Sequence, residues 1–278
     1  MTTITAADVK QLRERTGLPL MDCKKALGEA NGDQDLAVEL LRKRGQTILQ
    51  KRSDRVTDFG RFGLFFGVDQ PAGAIVELKC ESAPVTQHEE FIELANALAQ
   101  QLALGPGAET ADELLDQPSP VRDGMTLREH KDELFNRIRE VFNIGRMRRV
   151  EGATGGYSHN SGTVSGVLLA IEGGEAEPAK DISMHIAAMR PKALAVEDLD
   201  QDLVNKEREI LREAALAEGK PENIVEKMVE GRMRNFYAER VLLEQPFVKD
   251  DKQTVGEFAK SKGMVIREFV HWELGQEG

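Results

Sequence analysis

The sequence predicts an α+β fold, and three observations carry that prediction. Apolar residues recur at helical spacing along much of the chain, and short runs with a period of two interrupt them. Threonines also stand three residues ahead of an acid in front of several helical runs, which is the spacing of a capping box.

The stretch from Ala74 to Ala103 shows all three and organises the rest. Ala74 to Cys80 alternates as a half-buried strand, with Val76, Leu78 and Cys80 on one face. Glu81-Ser82-Ala83-Pro84-Val85 breaks it. Proline fixes its own φ and disfavours helix at the residue before it, so the spacing predicts an extended, stiff elbow at Ala83-Pro84. Thr86 with Glu89 then reads as a capping box, and Phe91, Leu94, Ala95, Leu98 and Leu102 share a helical face. A strand and a helix thus hold a rigid corner at the surface.

Upstream, residues 1–50 read as a three-helix module. Thr5 and Asp8 cap the first helix, whose Ala6, Val9 and Leu12 share a face before Gly17. Pro19 suits the first turn of the second, with Cys23, Ala26, Leu27 and Ala30 on one side. Asn31-Gly32-Asp33 turns the chain, and the third helix carries Leu36, Ala37, Leu40 and Leu41 and is expected to stop at Gly45.

A polar linker over 51–60 leads to a first core subdomain over 61–145, which opens with a hairpin, Phe62 to Val68 and Ala74 to Cys80, around Asp69-Gln70-Pro71-Ala72-Gly73. Gly105 to Pro120 is a loop with a short helical turn at Leu114-Leu115. A capped helix follows at Thr126 and Glu129, with Leu127, Leu134, Ile138 and Val141 as its stripe. A second core subdomain takes 146–200 and 241–278. Its first strand carries Arg146-Met147-Arg148-Arg149, a basic run expected to pair with neighbouring acids, and Val164 to Ile171 is a further extended piece. In the helix before Pro191, Ile182, Ile186 and Met189 are expected on the core face.

Residues 201–240 read as a projecting antiparallel helical hairpin hinged at Gly219-Lys220-Pro221. Leu203, Ile210, Ala214 and Ala217 form the stripe of its first helix, and Val225, Met228, Val229, Arg232 and Phe236 that of its second. Thr254 and Glu257 cap a last helix. Met264 to Leu274 closes the chain as a strand with Ile266, Val270, Trp272 and Leu274 on one face.

The totals narrow the function. The chain has 278 residues, a net charge of -11 and a pI near 5.1, which opposes a broad phosphate-binding surface and hence nucleic acid as a direct partner. Cys23 and Cys80 are far apart and outside any ligand-spaced cluster, so no disulfide framework is expected. No signal-like start or membrane-length apolar run is present, and a cytoplasmic location is expected. The five histidines lack metal-ligand spacing, and neither a P-loop nor a GxSxG motif occurs, so no metal, cofactor or catalytic residue is assigned. Cys80 with His88 nearby has the outline of a thiol and base, but a cysteine at a strand end reads first as small core filler.

Three groups of residues carry a resemblance to a known family. Thr16-Gly17, Met21-Asp22-Cys23-Lys24-Lys25-Ala26-Leu27 and Ala30-Asn31-Gly32-Asp33 resemble, in order and spacing, the N-terminal module of elongation factor Ts. Met184-His185-Ile186-Ala187-Ala188 before Pro191 resembles a segment of that family's second core half. Glu226-Lys227-Met228-Val229-Glu230-Gly231-Arg232-Met233, with Gln245-Pro246-Phe247-Val248 beyond it, resembles its coiled coil and the return to the core.

The resemblance implies a ubiquitin-associated-like bundle, two similar sheet-and-helix subdomains and a helical hairpin. It also implies nucleotide exchange on elongation factor Tu, bound in its GDP-loaded and nucleotide-free states. The family's Thr-Asp-Phe-Val signature, which disturbs the magnesium and phosphate site of Tu, falls by position on Ser82, Ala83, Pro84 and Val85. The acid and the ring are therefore replaced by Ala83 and Pro84, which leaves a Tu-binding module without exchange as the alternative. Thr57-Asp58-Phe59-Gly60 spells nearly the same signature but precedes the hairpin, and is not assigned to it. Lys24 and His185 are implied as further Tu contacts; read from the residues alone, Lys24 is a solvated helix face and His185 a packed histidine. The hairpin also allows a homodimer or a complex of higher stoichiometry.

Overall fold

A computed structural model describes residues 4–52, 54–160, 164–219 and 221–276, so Met1–Thr3 and the hinge residue Lys220 lie outside the described residues. The chain is α+β and divides into two compact units: one of 4–63 and 74–149, the other of 64–73 and 150–276.

The first unit begins with α1 (Ala6–Thr16), α2 (Leu20–Glu29) and α3 (Gln34–Gln50). Thr5 and Asp8 form the expected capping box, and Gly17 closes α1 at φ 68°, a left-handed position that glycine takes without strain. Val9, Leu12, Cys23, Ala26, Leu27, Ala37 and Leu41 make a small core of their own. Gly45 does not stop α3, which runs to Gln50. Its bare Cα instead admits Asn136 of a later helix: a Cβ there would sit 1.8 Å from the Asn136 side-chain oxygen. A glycine inside a helix weakens it by about 1 kcal/mol, and here close packing is what it makes room for.

Strands β1 (Phe59–Phe65), β2 (Ala72–Cys80) and β3 (Asn143–Glu151) form one sheet in the order β1-β2-β3. The basic run on β3 therefore joins the first sheet. Being central, β2 is buried on both faces except at Lys79, and not on alternate residues as expected. Its one acid, Glu77, is buried and accepts two bonds from the Arg146 guanidinium, at 3.0 and 3.1 Å, and one from the Arg146 backbone N–H at 3.1 Å. Helices α4 (Glu89–Leu104), α5 (Ala111–Leu115) and α6 (Leu127–Ile138) complete this unit. Phe91, Leu94, Ala95, Leu98 and Leu102 are buried along α4, as their spacing predicts, and the Phe91 and Phe142 rings meet at 5.4 Å.

In the second unit β4 (Thr154–His159), β5 (Ser165–Gly173) and β8 (Met264–Glu273) form an antiparallel sheet in the order β4-β5-β8. Helix α7 (Ala176–Met189) and α10 (Val255–Ser261) cover it, with Val167, Leu169, Ile171, Ala179, Ile182, Ile186 and Val255 in one core. Met189, expected in that core, is exposed at the last turn of α7. The register of β8 shifts opposite Ala170 and Ile171, so Ile266 pairs with Ile171 while Phe269 and His271 pair with Leu169 and Val167. This bulge exchanges the faces partway along the strand, and the expected stripe of Ile266, Val270, Trp272 and Leu274 is not one face.

A short pair, β6 (Pro246–Phe247) and β7 (Asp250–Thr254), precedes α10. The hairpin consists of α8 (Gln201–Ala217) and α9 (Glu222–Arg240). Val204, Ala215, Val225, Val229, Met233 and Phe236 are buried between its helices, with Leu211 and Met228 packed against them. The stripe expected to close it from α8 is thus displaced by one residue, and Leu203 and Ile210 stand 47% and 51% exposed.

Candidate functional site

The corner after β2 is a turn of 3-10 helix, Ala83–Gln87, and not the extended elbow expected. Proline tolerates the first turn of a helix because the N–H it lacks has no partner there, so Pro84 starts the turn instead of opposing it. Nor does Thr86 cap α4. Its hydroxyl donates to the Ala83 carbonyl at 2.7 Å, and α4 begins after His88, which makes no side-chain cap.

Both ends of this turn are pinned. At the entry, Glu140 accepts from the Ser82 N–H at 3.0 Å and from the Ser82 hydroxyl at 2.5 Å. Glu81 accepts from the Val141 N–H at 2.8 Å and from Arg55 at 2.7 Å. Burial pushes the Glu81 carboxyl up, but those bonds and the charges of Arg55 and Arg52 together hold it below its ordinary value. At the exit, the Arg61 guanidinium donates to the Thr86 carbonyl at 2.9 Å, and the His88 N–H to the Val85 carbonyl at 3.0 Å. Val85 is buried as the foot of the corner, whereas Ala83 and Pro84 are exposed.

The thiol beneath the corner is shielded from solvent. Cys80 is fully buried, its Sγ–H donates to the Ser82 carbonyl at 3.3 Å, and burial with the nearby charge of Glu140 pushes its pKa up to about 12.

Arg139 and Glu140 join the corner to the N-terminal helices. Arg139 is left-handed, with φ 67°, and ends α6. Its guanidinium reaches Asp22 on α2 at 2.8 Å, and its carbonyl accepts from Arg52 at 2.7 Å. Lys24 lies exposed on α2, two residues from Asp22, so Lys24 and Ser82–Val85 are borne by one connected set of contacts.

His185 belongs to the other unit and is fully buried, so it offers no surface to a partner. Its Nδ1 accepts from the Val248 N–H at 3.1 Å, which leaves the ring proton on Nε2 to donate to Gln245 Oε1 at 2.9 Å. Burial, offset in part by the Gln245 bond, holds its pKa below the ordinary value. The packed-histidine reading is the one that its surroundings match.

Phe59, spelled into a near-copy of the signature but not assigned to it, has a place that the spelling alone did not give. It opens β1 as a residue 43% exposed, between Arg55, which bonds Glu81 at the entry of the corner, and Arg61, which bonds Thr86 at its exit. Its spelling, a large aromatic in front of Gly60 at a strand end, was the available signal.

A helical bundle, two three-stranded sheets with their helices, and a helical hairpin together define an α+β protein that presents Ala83 and Pro84 on a pinned turn. Residues 84–276 match the family model described as elongation factor TS. Over 99% of its length the chain is 41% identical to the elongation factor Ts of Thioalkalivibrio sulfidiphilus and 43% identical to that of Methylococcus capsulatus, covering 93% of each. It is 39% identical to the elongation factor Ts of Aquifex aeolicus, with 98% of both chains covered. The chain belongs to the elongation factor Ts family of translation elongation factors.

Proposed function

We propose that this chain is a guanine nucleotide exchange factor that binds elongation factor Tu in its GDP-loaded and nucleotide-free states and speeds the release of GDP in the cytoplasm. The observation that carries this reading is the corner. Ala83 and Pro84 protrude from a turn whose flanking backbone groups are already hydrogen-bonded, so pressing on a partner does not simply bend it back.

The work is done by contact, without making or breaking covalent bonds. By linkage, a factor that weakens GDP binding must itself bind less tightly when GDP is present, by the same factor. Moving a site from one dominant form to the other takes roughly 5.5 kcal/mol of differential binding. In this reading Pro84 is a compact, rigid wedge at the magnesium and phosphate site, held up by Val85 and steadied through Ser82. Lys24 adds a contact from the N-terminal helices, and His185 acts at a distance, by fixing Gln245 and Val248.

Stopped-flow release of labelled GDP from Tu tests this. The chain should accelerate release, and Pro84→Gly, which frees the backbone of the turn, should slow it severalfold while binding persists. A wild-type chain that binds Tu without changing the release rate would favour the second reading, a Tu-binding module without exchange. The lack of an acid or an aromatic ring at positions 83 and 84 motivates that alternative.

A further inference from the structure

We infer that Phe59 is a second contact for the GTPase, adjoining the corner, with its ring entering an apolar pocket on that partner. The inference rests on the reading of the corner as the point of contact.

Residues of a strand alternate faces, so Phe59, Arg61 and Gly63 lie in one row on β1. Gly63 is pressed against α4: a Cβ there would stand 1.9 Å from the Ala95 carbonyl oxygen. Two residues back along the row, Arg61 reaches Thr86 in the turn at 2.9 Å. The row therefore runs down α4 toward its start, and one further step of about 7 Å takes Phe59 beside the end of β2 that enters the corner, where the neighbouring Gly60 packs on Leu78 and Lys79. The preceding segment closes the same circuit, since Arg55 bonds Glu81 at 2.7 Å and Thr57 accepts from Asn143 at 3.2 Å.

Val56, Phe59, Ala83 and Pro84 are all exposed, so apolar groups from two stretches of chain gather around one pinned turn. Apolar side chains exposed together mark a site of association more often than single ones do. A ring with two torsions, fixed to a sheet, also loses little freedom when it is buried by a partner.

Phe59→Ala in the full chain should raise the concentration needed for half-maximal GDP release at least tenfold and leave the maximal rate within twofold. Phe59→Leu should fall between the two. Unchanged thermal unfolding of both variants shows that the loss is one of contact. A shift in half-saturation of less than twofold, or a loss matched by unfolding, overturns the inference. Calorimetric titration onto Tu bound to GDP separates it from the exchange reading. If wild type binds but does not exchange, that reading fails, while a tenfold affinity loss in Phe59→Ala still supports the contact and its absence still refutes it.

Discussion

Each of the two units carries a strand that feeds a helix, and the two connections differ in a way that separates architecture from function. Between β5 and α7 the chain turns through Gly173 and Gly174, with φ 69° and 77°, and Glu175 already precedes the helix. Between β2 and α4 the same kind of link is eight residues long, from Glu81 to His88, and contains its own turn of 3-10 helix. A minimal link is dictated by backbone geometry alone. The longer one is held by side chains brought from elsewhere, namely Arg55, Arg61 and Glu140, and its tip points to solvent. The strands differ as well: β5 is apolar at its buried centre, whereas β2 buries Glu77 under Arg146.

The contrast is sharpest at that ion pair. Arg146→Met leaves the Glu77 carboxylate buried without its main partner, and should destabilise the first unit by about 3–5 kcal/mol in urea unfolding. Replacing both residues with apolar ones of similar volume should recover much of the loss, as a charge that is absent needs no partner.

The tight link is broken next most easily. Gly173→Val places a β-branched side chain at positive φ, with its Cβ 2.5 Å from the Gly263 carbonyl oxygen, and should cost about 2–3 kcal/mol in the second unit. GDP release per folded molecule should be unchanged, because this turn has no part in the proposed contact.

His185→Ala orphans Gln245 and the Val248 N–H, at about 1–3 kcal/mol. The neutral ring is the bonded one, and its folded pKa lies below the unfolded value near 6.5. As pH falls the unfolded chain takes up the proton first, so this contribution is full above about pH 6.5 and is lost as pH drops toward the lower folded value. His130 and His271 are shifted downward too, both chiefly by burial, so the variant should flatten the acid side of the stability profile without abolishing its slope.

Glu140→Ala has the smallest expected effect on folding, about 1 kcal/mol, since it removes two bonds at a half-exposed site. Its effect on GDP release should exceed its effect on the unfolding midpoint, because it frees the turn without dismantling the sheet. Equal losses in both would make the turn a structural element only.

How much of this could be read in the sequence follows from how local each cause is. Capping boxes at Thr5, Thr126 and Thr254 involve residues three apart, and the structure has all of them. The stripe of α4 is likewise local, as every residue in it faces one core. Gly45 was misread because the reason for a glycine lay on α6, far along the chain. The face of α8 was misplaced by one residue because an antiparallel pair of helices offers two apolar flanks, and spacing alone does not choose between them. At the corner, sequence located the residues but not their conformation, which depends on bonds from Arg61 and Glu140 that no local pattern announces. Phe59 was read only for its spelling; its meaning lies in the neighbouring contacts.

Cys23 and Cys80 are the only two cysteines in the chain, and both are free and buried. Ala83→Cys would therefore create a lone accessible sulfhydryl at the tip of the turn. A fluorophore coupled there would need no cysteine-free background, and its emission would report docking and departure of a partner as they happen.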